Sequence, residues 1–64
     1  MFLTLHEFDK GFPVRANFDL VKTFVAYAHP GGVEHSRILF VDDTPLHVRE
    51  TASDIDAMLK DKES

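Results

Sequence analysis

Two groups of side chains in this 64-residue chain are of types that do chemistry. The first is Asp42-Asp43, a pair of carboxylates directly after the apolar run Ile38 to Val41. Grouped carboxylates of this kind hold magnesium beside phosphates. The second is the set of four histidines, His6, His29, His35 and His47. His29 and His35 flank a Gly-rich loop that also carries Glu34, and two imidazoles with a carboxylate are zinc ligand types. Ser36 follows His35, but a serine nucleophile also needs an orienting acid and a pocket. Pro30-Gly31-Gly32 lacks the lysine and the spacing of a phosphate loop. Each group has a plain structural reading as well. Asp42-Asp43-Thr44-Pro45 has turn formers in their usual places, and loop histidines ordinarily face solvent. The expectation is a hairpin turn at the aspartates, exposed histidines, no catalytic residue, no metal and no cofactor.

The elements that would position these residues follow from periodicity. Phe2 to Phe8 alternates, with Leu3 and Leu5 on one face and Thr4 and His6 on the other, which predicts a strand over about 2–8. Asp9, Lys10 and Gly11 form a turn. A second strand, about 13–17, starts at Pro13, where a missing amide donor is tolerated. Asn17 and Asp19 can bond their own backbone and mark a corner. The next two strands, about 22–28 and 37–42, are apolar on both faces and pair across the loop HPGGVEHS. A single layer with one wet face would not need that pattern. Two covers are therefore expected: a helix on one side and another copy of the chain on the other. Leu46 to Arg49 alternates as a short strand, about 46–49. Thr51 with Asp54 makes a capping box that opens a helix over about 52–61, with Ala52, Ile55, Met58 and Leu59 on its apolar face.

Composition sets the outer limits. The chain is one domain at most, and a domain this small is only marginally stable on its own core. With no cysteine, it has neither disulfides nor thiolate metal sites. Oligomerisation is the expected supplement. The net charge is −4, shared equally between residues 1–50 and 51–64. There is no basic stripe to neutralise phosphates, which disfavours nucleic-acid binding. Arg15, Arg37 and Arg49 would have to be gathered by the fold to supply one. No apolar run approaches the roughly 20 residues that span a membrane, and no secretion signal opens the chain. Cytoplasmic location is the expectation.

Several resemblances bear on function. RILFVDDTP resembles the first strand of a response-regulator receiver domain, where paired acidic residues bind magnesium. That resemblance implies Asp42 and Asp43 as the metal pair, in a fragment that ends before the phosphate-accepting strand. A helical spacing of Val48, Ala52, Ile55 and Leu59 favours it. The capping box at Thr51, which starts a helix in the middle of that spacing, counts against it. The haloacid-dehalogenase motif needs its aspartates two residues apart, and these are adjacent. Over about residues 2–59, the segments LTLHEFDKGFPVRANFDLV and LHVRETASDI resemble the short FlbD-type proteins of flagellar operons and their phage relatives. That resemblance implies a small β-meander with a C-terminal helix and no known catalytic residues. The loop HPGGVEHS departs from the family's usual short turn. The ending VRET is also loosely similar to the RNA-binding regulator CsrA, whose strands interlock in a dimer. CsrA's basic edge strands are not matched here.

The expected fold class is α+β, a small antiparallel meander of four or five strands followed by one helix. The expected function is a non-enzymatic, oligomeric interaction module with a protein partner. Phe12, Phe18, His29, Glu34, His35 and Arg37 are the candidate contact residues. The alternatives are a nucleic-acid-binding regulator using Arg15, Arg37 and Arg49, and an inactive receiver-like fragment. Phe2, Phe8, Phe24 and Phe40 are expected in the core or at a dimer contact.

Overall fold

A computed structural model describes residues 1–28 and 31–63 of the chain. It is a small α+β fold of five strands and one C-terminal helix. The strands are β1 (Phe2–His6), β2 (Pro13–Asn17), β3 (Val21–Tyr27), β4 (His35–Phe40) and β5 (Pro45–Val48), and the helix is α1 (Ala52–Glu63). β1 and β2 form an antiparallel hairpin, and β3-β4-β5 form an antiparallel meander. A bridge between Glu7 and Val48 joins the two sheets. Backbone bonds from Arg49 N to His6 O (2.8 Å) and from Phe8 N to His47 O (3.1 Å) extend the joint.

Leu3 and Leu5 alternate inward from β1, as the period of 2 requires. They meet Ala16 of β2, Ile38 of β4, Val48 of β5 and Ile55 of α1 in one buried cluster. Each large aliphatic side chain buried there contributes roughly 1.5–3 kcal/mol. Phe18, Phe24, Phe40, Leu46, Met58 and Leu59 pack around it, half-buried. The helix starts as its sequence demands. Thr51 Oγ1 accepts from Asp54 N, and Asp54 Oδ2 accepts from Thr51 N, both at 3.2 Å. Asn17 Oδ1 accepts from Asp19 N at 3.1 Å and opens the 3-10 turn Phe18–Leu20 that leads into β3.

The observed bounds differ from the sequence expectation by one or two residues at every element but β2. β1 ends at His6, because Phe8 leaves the strand to cover the start of β4. β4 begins at His35 rather than near 37, because Tyr27 of β3 pairs with His35. That shift places His35 and Ser36 in the sheet and leaves Val41 and Asp42 in the following turn. Phe2 does not join the core. It shares the outward parity of Thr4 and His6 and is 49% exposed, with the Arg15 guanidinium over its ring at 5.3 Å.

Candidate functional site

The three-stranded sheet has two unlike faces. Phe24, Ile38 and Leu46 make one cross-strand row of the inner face, and Ala26, Ser36 and Val48 make the next. The outer face carries Val25, Arg37 and His47 in one row, with Tyr27 and His35 beside them. His35 faces outward by parity yet is only 1% exposed. The Phe8 ring lies over it, with centroids 4.0 Å apart and planes 32° apart. Tyr27 meets both imidazoles edge-on, at 5.2 Å from His35 and 5.7 Å from His47.

The two histidines are hydrogen-bonded to each other, Nε2 of His35 to Nδ1 of His47, at 3.1 Å. One ring nitrogen must donate and the other must accept. The Val33 carbonyl lies 3.5 Å from His35 Nδ1, a weak contact that favours the proton on that nitrogen. His35 Nε2 is then the acceptor and His47 Nδ1 the donor, a tautomer assigned from the network. Phe8, Asp9, Tyr27, His35 and His47 line a cavity of about 320 Å³ at this end of the sheet.

A third histidine is engaged elsewhere. His6 Nδ1 meets Glu50 Oε2 at 2.6 Å, and the His6 amide donates to Glu50 Oε1 at 2.9 Å. Burial of the Glu50 carboxyl opposes its ionisation. The bonds from the His6 ring and amide outweigh that effect, so its pKa lies below the ordinary value.

The paired aspartates are engaged by the turn between β4 and β5. Asp42 Oδ1 accepts from Thr44 N at 3.1 Å, and its pKa is lowered chiefly by hydrogen bonding with Thr44. Asp43 takes the left-handed conformation at φ 67°, and its carboxylate faces Lys22 Nζ at 3.0 Å. A receiver strand would continue from here into a helix. β5 instead turns back antiparallel to β4.

The other expected contact residues are scattered. Phe12 is 60% exposed at the β1–β2 turn, whereas Phe18 is half-buried and packs edge-on against Phe24 at 6.1 Å. Glu34 is exposed, His35 is buried, Arg37 is half-buried on the outer face, and His29 lies outside the described residues. The expectation of an exposed loop histidine fails at His35, because β4 extends back to include it and Phe8 covers it. His47, expected on an exposed face, is half-buried in the same cluster. Ser36 points inward, opposite in parity to the His35 ring, so the two do not form a nucleophile and base. Its buried Oγ has no hydrogen-bond partner among the described residues.

The three arginines of the nucleic-acid alternative have separate engagements. Arg15 covers Phe2 on the β1–β2 hairpin. Arg37 lies on β4. Arg49 donates from Nε to Phe8 O at 3.1 Å and from Nη2 to Asp9 O at 3.4 Å. Gly11, at φ 76°, sits directly beneath the Arg49 guanidinium. Among the described residues no group of three or more histidine or acidic side chains is placed to hold a metal ion, and no helix is long and apolar enough to cross a membrane.

Sequence reasoning missed the coming together of Phe8, Tyr27, His35 and His47. The alternation of Leu46-His47-Val48 places His47 outward, a usable signal. The pairing of Tyr27 with His35 and the reach of Phe8 depend on register and chain reversal and have no local signature. No protein-family model, curated protein or solved structure matches the chain.

Proposed function

We propose that the chain is a non-enzymatic interaction module that self-associates along β3 and, as an oligomer, presents its outer sheet face to a protein partner. The observation that carries this reading is the state of β3. It stands at the edge of the meander, and Val25, Ala26 and Tyr27 are all exposed. Val25 is 47% exposed and Tyr27 39%. From Thr23 to Tyr27 the strand carries no charge, proline or glycine. Charge and proline are among the devices that normally protect an edge from another chain, and the register shift of β3 against β4, between Val21 and Thr23, lies before this stretch. Antiparallel pairing of β3 with β3 of a second copy is self-complementary about a two-fold axis. A core of six buried apolar side chains among the described residues gains from added burial in a domain this small. The likeness to FlbD-type proteins is carried forward as part of this proposal.

The test is mass by light scattering or sedimentation across a range of concentrations, for the native chain and for Val25→Lys. The native chain is expected to shift toward a dimer or larger species as concentration rises. Val25→Lys is expected to remain monomeric with an unchanged far-UV spectrum. A native chain that stays monomeric at every concentration overturns the proposal.

A further inference from the structure

We infer that His35 and His47 form a two-nitrogen seat for one divalent late first-row transition-metal ion, with zinc as the reference case. The inference rests on the histidine pair alone and is independent of self-association. Zinc–imidazole bonds of about 2.0–2.1 Å put two ligand nitrogens about 2.9 Å apart at a right angle and about 3.4 Å apart at the tetrahedral angle. The observed separation of 3.1 Å lies between these values. An ion would sit to one side of the line between the two nitrogens, and the proton now on His47 Nδ1 would have to leave that nitrogen before it could bind.

The surroundings suit such an ion. His35 is buried, held under the Phe8 ring, with the Val33 carbonyl beside its other nitrogen. A carbonyl on the far nitrogen is the usual outer support that keeps a metal-binding imidazole in one tautomer and orientation. His47 is half-buried, with its ring tilted 44° to that of His35. The cavity beside the pair is about 320 Å³, ample for the waters that would complete the coordination. Asp9 lines it and adds negative charge, and Glu34 lies on the neighbouring surface with Phe8 and Val33. Arg49 is the opposing cation, bound to the Phe8 and Asp9 carbonyls. Two imidazoles select zinc, copper, nickel or cobalt over magnesium or calcium, which prefer oxygen.

The experiment titrates zinc chloride into the full chain, followed by calorimetry and by the ring-nitrogen chemical shifts of the histidines. One ion per chain is expected, with shifts at His35 Nε2 and His47 Nδ1. Binding should weaken as the pH is lowered and protons compete for the same nitrogens. His47→Gln, at a half-buried position where the fold can be checked by circular dichroism, is expected to raise the dissociation constant by at least about tenfold. That factor is the lower bound for losing even an outer support of a ligand. His6→Gln, which alters the bond to Glu50 and neither member of the histidine pair, is expected to leave binding unchanged. Zinc that moves neither ring's resonances, or that binds folded His47→Gln as tightly as the native chain, overturns the inference and leaves the pair a structural hydrogen bond.

Discussion

The two faces of the β3-β4-β5 meander share the same backbone and differ in every other respect. The inner face packs against the β1–β2 hairpin and the helix, and its rows contain Ile38 and Val48, both fully buried. The outer face is covered at one end, where Phe8 folds over His35, and leaves Val25 exposed. Apolar patterning on both faces of a strand therefore does not show how each face is covered. Here one face builds the monomer, and the other holds a polar cluster beside an open edge.

The largest test of this contrast is Ile38→Ala. Truncating a fully buried side chain that touches both sheets and the helix is expected to cost about 2–5 kcal/mol in denaturant unfolding. A loss below about 1 kcal/mol would mean that the inner face is not the core. Ser36→Ala sharpens the same point with the opposite sign. Its buried hydroxyl lies in the inner row with Ala26 and Val48 and has no partner among the described residues. Removing it is expected to stabilise the chain by about 1 kcal/mol, and destabilisation would reveal a partner for Oγ. On the outer face, Val25→Lys is expected to change unfolding stability by no more than about 0.5 kcal/mol at concentrations where the native chain is monomeric, and to remove the proposed self-association.

The smallest effect lies at the joint between the sheets. Glu50 has a lowered pKa, so its contribution is fully present above the ordinary glutamate value of 4.5 and is lost as pH falls through the lower folded value. With one partner half-exposed, that contribution is roughly 0.2–1 kcal/mol. Glu50→Gln is expected to be less stable than the native chain near neutral pH and to converge with it in acid. Parallel curves across that range would show that the carboxylate charge contributes nothing.

Much of the fold was legible because it is written in short-range chemistry. Leu3 and Leu5 alternate, Thr51 and Asp54 cap each other, and Asn17 bonds its own corner. Asp42-Asp43-Thr44-Pro45 behaves as turn residues do, with Asp42 held by Thr44 and Asp43 at positive φ. The candidate site was far less legible. His35 reads as a loop residue because Gly31, Gly32 and Val33 precede it, and only its pairing with Tyr27 draws it into the sheet. Phe8 reads as the end of a strand, and nothing local says that its ring leaves β1 to cover an imidazole. Residues whose environment is made by partners a few positions away could be placed from the sequence. Those whose environment is made by a distant segment could not.

The grip of Arg49 on the Phe8 and Asp9 carbonyls spans 41 and 40 residues of chain. Closing a loop of that length costs on the order of 3 kcal/mol of chain entropy in its length-dependent part, far more than a tight hairpin does. It follows that this latch can close only once β5 is in place, whereas the turn's own bonds, Glu7 N to Phe12 O and Gly11 N to Glu7 O, both 2.9 Å, need no distant residue. A nascent chain that has not yet emerged as far as β5 carries an unlatched hairpin, with Phe12 already at its tip.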